Sequence, residues 1–306
     1  MAGQPGVKVA KAFKDAYGIE IEIVTGLIPS LIERLKTEQA SKIYTADTFD
    51  ASPSSVLMVK DAGLSQPIGN LTALRQKNDF RGDPILDKEG HITTVALSYQ
   101  STLINTNLVK AGEEPKSYRE LLEPKWRGKL VVSSPVNAPG FNRLYALKDA
   151  LGLDDDYFRK LAKNDLIVVA TDKDAVDMVI RGEASVSPMI LSIASPAAAK
   201  GAPVKVVLPM EGVVATMGNT WSLIKNPAHP NAARVLLNWL LSAEGQKVYS
   251  EASSWTPIRK GVPDYIAAPL AVPEGTKLVF SNIQVEAQVA VLRQEKILAK
   301  LMGIEK

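Results

Sequence analysis

The stretch His229–Arg259, HPNAARVLLNWLLSAEGQKVYSEASSWTPIR, decides how the rest of the chain is read. Ala233, Leu236, Leu237, Leu240 and Leu241 recur at helical spacing, so the first half is an amphipathic helix docked by one face. Gly245 is expected to break it. A short second helix follows, and Thr256-Pro257 reads as an extended tail. A helix pair docked by its apolar face needs a layered partner, and the stretches before it supply one.

The chain has 306 residues, more than one hydrophobic core usually organises, so two lobes are expected. Hydrophobic content of 46% and charged content of 23% are ordinary for a globular chain. The net charge is +3, and Lys and Arg are scattered without interleaved aromatics, which argues against nucleic-acid binding. The absence of cysteine excludes disulfides, thiolate metal sites and a cysteine nucleophile. No run of about 18 apolar residues occurs. No charged and apolar leader opens the chain. Met1-Ala2-Gly3 reads either as a start in place of a processed leader or as a cytosolic start.

Strand and helix patterns alternate along the chain. A first helix carrying Val9, Phe13 and Tyr17 ends at Gly18, and Ile19, Ile21 and Ile23 then alternate with glutamates as a half-buried strand. Ser30 with Glu33 forms a capping box for a second helix. Thr45–Phe49, His91–Tyr99, Leu130–Ser133, Leu166–Ala170, Val186–Met189, Val204–Leu208 and Val213–Met217 read as strands, and Ser101–Asn105 continues extended after the second. Ser55–Ala62, Phe141–Leu151, Tyr157–Lys163 and Ala175–Ile180 read as helices, and a tail helix is expected over Asn282–Met302. This alternation predicts α/β architecture with mostly parallel sheets and helical crossovers. Two runs change lobe, near Tyr99–Asn105 and near Leu208–Asn219. The expected division is residues 1–100 with 218–260 as lobe 1 and 101–217 with 261–306 as lobe 2.

Several phrases in order resemble bacterial extracellular solute-binding proteins of the ferric-iron-binding type. They are KAFKDAYGIEIEIVTG from Lys11, LIERLKTE from Leu31, VKDAGLSQPI from Val59, VALSYQSTLINTNLV from Val95, SYRELLEPKWRGKLVVSSP from Ser117, APVKVVLP from Ala202 and the Ala228–Gln246 segment. The resemblance covers most of Lys11–Pro257. It implies the type II periplasmic-binding-protein fold: two lobes, each a sheet flanked by helices, joined by two hinge crossovers. It also implies a substrate-binding component of an ABC importer with a membrane permease as partner, located in the periplasm or lipid-anchored outside the cell.

Two departures stand out. The family opens with a β-strand and a loop before the first helix, whereas only about eight residues precede the helix here. If that strand is missing, something else must cover the sheet backbone, because unpaired central groups are costly. Iron-binding members also carry a tyrosine pair where this chain has Pro188, Met189, Ile190 and Leu191. Ferric iron is a hard cation and wants oxygen ligands, so iron binding is not expected.

In open α/β lobes ligands bind at the carboxyl ends of strands, where helix N-termini offer unpaired N–H groups. Four junctions qualify: Gly26 to Ser30; Asp50 with Ser52; Ser133, Ser134, Asn137 and Gly140; and Thr171-Asp172, whose capping role is the simpler reading. The third is the strongest, because small hydroxyl and amide side chains with Gly140 let backbone approach an anion. Tyr99, Gln100 and Ser101 on one crossover, and Trp221 on the other, add walls with polar handles. Met189 faces the same region if the family alignment holds and would contact an apolar ligand part. Arg143, on the helix after Gly140, could add a cationic partner for an anion, although a solvated helix-face residue is the simpler reading.

Chemistry is sparse. His91 and His229 lack metal-ligand spacing, and no nucleophile elbow, phosphate loop or zinc helix motif is present. Asp154-Asp155-Asp156 opens a helix, where acids complement the dipole. The expected function is capture of a small organic anion, a carboxylate or phosphonate, by hinge closure in the interlobe cleft. No catalysis, cofactor or metal is expected, and the protein is expected to be a monomer. Alternatives are a lyase or transferase on the same scaffold using Asp50, Tyr99 or Asp172, a binding protein for a metal or cationic solute, or an effector-sensing module.

Overall fold

Proline and short polar residues set where most helices begin. A computed structural model describes the chain except residues 1–2, 76–78, 83, 86, 137, 282–296 and 305–306. In chain order the elements are α1 (Gln4–Tyr17), α2 (Ile28–Ala40), β1 (Thr48–Ala51), α3 (Pro53–Asp61), β2 (Ser65–Gln66), β3 (Ile92–Asn105), β4 (Val131–Ser133), α4 (Ala138–Leu151), α5 (Asp155–Lys163) and β5 (Ile167–Val169). They continue as α6 (Asp172–Arg181), β6 (Val186–Ile190), α7 (Leu191–Ala198), β7 (Val204–Val207), β8 (Val213–Ile224), α8 (Pro230–Leu240), α9 (Ala243–Ser253), β9 (Thr256–Pro257) and β10 (Leu278–Phe280). The chain is helical again at 297–301.

The chain divides into two units, Met1–Leu97 with Met217–Tyr265 and Ser98–Thr216 with Ile266–Lys306. Both β3 and β8 run from one unit into the other. Every residue of β3 is buried, polar ones included, as befits a strand covered on both faces.

In the first unit β8 pairs antiparallel with β1, from Thr48 opposite Leu223 to Ala51 opposite Thr220. It also pairs with β2, and β9 lies against the start of β3. Helices α1, α8 and α9 supply the apolar layer. Phe13, 1% exposed, sets its ring 5.4 Å from that of Trp239 and 5.0 Å from that of Tyr17. Burying such a ring contributes about 1.5–3 kcal/mol. Gln246 is a buried polar node in this layer. Its amide donates to the carbonyls of Val95 (2.6 Å) and Leu240 (2.7 Å) and its oxygen accepts from Ile258 N–H (2.8 Å). With donors and acceptor all satisfied, it fixes α9 against β3 without a desolvation cost.

In the second unit β3 pairs antiparallel with β6 on one side and β7 on the other. The pair β4–β5 is parallel, with Ser133 opposite Val169, and Leu130 bridges to Val186. β10 lies parallel to β8. Tyr118, Leu121, Trp126, Phe141, Leu147 and Phe158 form the centre of its core.

The observed class is α/β, as the sequence pattern indicates, but the described ladders are mixed rather than mostly parallel. Among the described registers, β3 runs antiparallel to β6, β7 and β9 and β8 antiparallel to β1 and β2, whereas β4–β5, β10–β8 and the Leu130–Val186 bridge are parallel. Three local expectations need correction. Ile19–Ile23 is no strand: no neighbour pairs with it among the described residues. Ser30 does not cap α2: the helix starts at Ile28 after Leu27, with Pro29 in its first turn, a position proline favours. Gly245 does not break a helix. The break is at Leu241–Ser242, where the Ser242 hydroxyl accepts from Gly245 N–H at 3.1 Å. Gly245 is required there because a Cβ would lie 2.9 Å from the Cα of Leu240. Val213–Met217 and Trp221–Ile224 are one strand, β8. Of the expected tail helix, residues 282–296 lie outside the described set.

Candidate functional site

Two short apolar strands of the second unit, VVS and IVV, deliver chemistry to one edge. Because β4 and β5 are parallel, their carboxyl ends emerge together, and each feeds a helix, α4 and α6. Ser133 closes β4, and Ser134 N–H donates to Val169 O at 2.8 Å, locking the two ends. Thr171 caps α6 in a reciprocal capping box with Asp174, which leaves Asp172 in the first turn free to turn toward β4.

Asp172 organises this edge. Its Oδ1 accepts a short hydrogen bond from the Ser133 hydroxyl, and its Oδ2 accepts from Arg143 Nε at 3.2 Å. The Arg143 side chain is 21% exposed and that of Asp172 11%, so this is a half-buried ion pair rather than a solvated one. Burial pulls the Arg143 pKa below the ordinary arginine value, and the Asp172 carboxylate acts in the opposite direction. Arginine still stays charged at any working pH. Among the described residues no partner engages its terminal nitrogens. The result is a guanidinium oriented through Nε in a half-buried setting.

The surroundings are polar and fixed. Gln100, fully buried, donates through Nε2 to the Arg143 carbonyl at 3.0 Å, which holds the second turn of α4 to β3. Its Oε1 has no hydrogen-bond partner among the described residues. Ser101 donates to Val207 O at 2.6 Å, so its hydroxyl is committed to β7. The Ser134 hydroxyl accepts from Val136 N–H at 3.3 Å. Gly140 is buried, and a Cβ there would lie 2.8 Å from the Ser133 carbonyl oxygen and nearer still to that of Ser134. Glycine is therefore needed for α4 to pack on the strand end, and the space above it is filled by the chain's own carbonyls. Tyr99 is buried. Met189 lies opposite Ser101 in the ladder. Asn137 lies outside the described residues.

The remaining expected site residues belong to the first unit. Asp50 and Trp221 are ladder partners across β1 and β8. Trp221, 3% exposed, donates from Nε1 to Asn219 Oδ1 at 2.6 Å, and the Asn219 amide reaches Asp50 Oδ2 at 3.5 Å. Tyr249 is raised above the ordinary tyrosine pKa, first by burial and then by the charge of Asp50. Ser52 precedes α3, and its hydroxyl joins those of Ser54 (3.1 Å) and Ser55 (3.0 Å). Gly26 and Ser30 are exposed, apart from this cluster. So Asp50, Ser52 and Trp221 come together in one unit, while Gln100, Ser133, Ser134 and Gly140 come together in the other.

Arg143 and Asp172 carry the polar centre of the second unit; the sequence offered Arg143 as a cationic partner and Thr171-Asp172 as a junction, but favoured the simpler role for each and did not pair them. The signal that could have found them is positional: each follows a short apolar strand, and parallel strands bring such ends together. For reaction chemistry the described residues offer little. His91 hydrogen-bonds the Ser65 hydroxyl at 2.8 Å, and His229 pairs with Asp47 at 3.1 Å. No group of three His, Cys, Asp or Glu among the described residues is placed to hold a metal ion.

Comparison with known proteins agrees with this architecture. The family profile described as "Bacterial extracellular solute-binding protein" matches residues 8–274. The chain belongs to that family, and its fold is the type II periplasmic binding fold of ABC-transporter solute-binding proteins. A Salmonella typhi periplasmic protein whose name proposes 2-aminoethylphosphonate as its ligand is 26% identical over 281 residues, spanning 87% of this chain and 78% of that protein. Among solved structures, the periplasmic binding protein AfuA from Actinobacillus pleuropneumoniae, with fructose-6-phosphate bound, superimposes with a TM-score of 0.76 at 18% identity, covering 100% of this chain and 97% of that one. The Trichodesmium protein IdiA (FutA), in complex with iron and citrate, gives 0.79 at 20% identity over 99% of this chain and 97% of that one.

Proposed function

We propose that this protein captures a small organic anion, a carboxylate or phosphonate, for a cognate ABC permease, and performs no reaction on it. The observation that carries the reading is the Arg143 guanidinium, oriented by Asp172 at the carboxyl ends of β4 and β5 with its terminal nitrogens unengaged among the described residues. A fixed cation in a partly desolvated setting attracts an anion far more strongly than a solvated lysine would. Asp172 is spent on orientation, so it is not free to act as a base. The ligands named for the relatives include a phosphonate and a sugar phosphate, which share an oxyanion group. Iron also occurs among them, but this chain has Pro188 to Leu191 where the resemblance would place phenolates.

In this reading the protein acts as a monomer outside the cytoplasmic membrane, and its two units close on the solute by rotation about β3 and β8. Calorimetric titration with 2-aminoethylphosphonate, a sugar phosphate, citrate and ferric iron tests the proposal. Saturable binding of one of the organic anions without turnover is expected. Binding of iron alone, or chemical conversion of a bound anion, would overturn it.

A further inference from the structure

Trp255 stands where the first unit ends on both long strands. That unit holds β3 as far as Leu97 and takes up β8 again at Met217. β9, the two residues Thr256–Pro257, pairs antiparallel with Leu97 and Ala96, the last two residues of β3 inside the unit. Trp255 directly precedes β9, and its half-buried ring lies against Gly218, the second residue of β8 inside the unit. A Cβ at Gly218 would collide with Cε3 and Cζ3 of the indole and would lie 3.0 Å from the Ala96 carbonyl oxygen. Glycine inside a strand marks this kind of close approach. One tripeptide, Trp255-Thr256-Pro257, therefore grips both strands at the edge of the unit.

The grip is anchored on every side. Ser254 ends α9 with φ 58°, a left-handed conformation that is costly for a residue with a Cβ and persists where its surroundings impose it. The Trp255 carbonyl accepts from the buried Ser250 hydroxyl at 2.7 Å, and its N–H donates to Ser253 Oγ at 3.2 Å. Thr256 Oγ1 donates to Asp264 Oδ2 at 2.9 Å. Gln246 of α9 binds Val95, just before the β9 ladder on β3, and Ile258, just after β9. The first residues beyond the boundary are Ser98 and Thr216. The Thr216 hydroxyl reaches the Ser98 carbonyl at 3.4 Å, a long bond, and the buried Ser98 hydroxyl has no partner among the described residues.

We propose that Trp255 is a positioning residue for closure. It clamps β8 at Gly218 while Thr256-Pro257 clamps β3 at Ala96 and Leu97, so both strands are stiff inside the first unit and bend beyond it, at Ser98 and Thr216. A hinge is a few residues that absorb the backbone change, and a ring packed on glycine removes that freedom from its own position. This role presupposes the closure of the two units on a solute proposed above.

The test uses the full ligand-free chain and two readouts. One is amide hydrogen exchange. The other is the distance distribution between spin labels on Lys8→Cys and Lys163→Cys, one exposed helix position in each unit of a chain without native cysteine. Trp255→Ala should speed exchange at Leu97, Gly218 and Asn219 by about tenfold or more, leave α1 and α8 at the parent rate and broaden the label distribution. Trp255→Phe, which keeps a ring over Gly218, should restore both readouts. Ser250→Ala removes the hold on the Trp255 carbonyl without touching the ring; it should show the same changes in smaller degree, and it decides the matter if Trp255→Ala does not fold. Exchange at these positions unchanged from the parent, or faster exchange spread evenly over the first unit, would overturn the proposal. So would a label distribution as narrow as the parent's. No anion enters the measurement, so failure of the anion reading leaves these results standing. A Trp255→Ala protein that binds an anion yet matches the parent in both readouts would overturn the clamp alone.

Discussion

Arg143 donates from Nε to Oδ2 of Asp172 across 3.2 Å, and this bond ties α4 to α6 at the strand ends of the second unit. The pair has two roles that mutation separates. Arg143→Gln removes the charge offered to an anion and should lower anion affinity by about tenfold or more. Asp172→Asn keeps the shape but leaves the guanidinium without its counter-charge, so stability should fall by about 2 kcal/mol. Calorimetry of anion binding and urea unfolding check the two effects. An Arg143→Gln protein that binds the anion as tightly as before would remove Arg143 from the site.

Gly140→Ala separates helix propensity from packing. Alanine is favoured over glycine in a helix by about 1 kcal/mol. The Ser133 carbonyl would stand 2.8 Å from the new Cβ, so the backbone has to move. Overpacking of this kind costs about 1–3 kcal/mol, and net destabilisation is expected in denaturant unfolding. A gain in stability would mean that α4 does not rest on the strand end.

The Glu114 carboxyl is held at a pKa of about 2, first by its hydrogen bond from Lys205 and then by its own and the Gly112 backbone N–H groups. A carboxyl depressed from 4.5 stabilises the fold above its unfolded pKa, and that contribution is lost as pH falls through the folded value. The window is therefore about pH 4.5 down to 2. Carboxyl NMR titration should show Glu114 ionised throughout most of it, and Lys205→Ala should move its midpoint upward toward 4.5.

Phe13→Ala should destabilise the chain by about 3–5 kcal/mol, because the ring is 1% exposed and packs on Trp239 and Tyr17. The loss should appear as a lower unfolding midpoint and as a change in tryptophan emission. Cooperative unfolding unchanged from the parent would show that α1 is not part of the first unit's core.

Much of the layer structure was legible because periodicity reports burial. β3 stands out from His91 onward as a buried apolar and hydroxyl run, and α8 by Leu236, Leu237 and Leu240. Pattern fails where structure depends on a neighbour. Ile19, Ile21 and Ile23 alternate as a strand should, but alternation cannot show whether a neighbour pairs with them, and none does among the described residues. Gly245 looks like a breaker, and only its distance to Leu240 reveals a packing role. The Arg143–Asp172 pair joins residues 29 apart in sequence, each ordinary on its own helix. Ser133 and Gly140 were legible as a junction, but the carbonyls covering Gly140 were not.

The two long strands that pass between units impose an order on biosynthesis. Helix α1, strands β1 and β2 and the start of β3 have partners in the segment 217–265, which leaves the ribosome only after the whole first pass of the other unit. For that interval the emerged portion holds Phe13 without Trp239 of α8 beside it and Val95 without the Gln246 amide of α9 on its carbonyl. The nascent protein therefore depends on delayed closure over more than a hundred residues, a topology that folds slowly and favours protection by a holding chaperone until the late helices arrive.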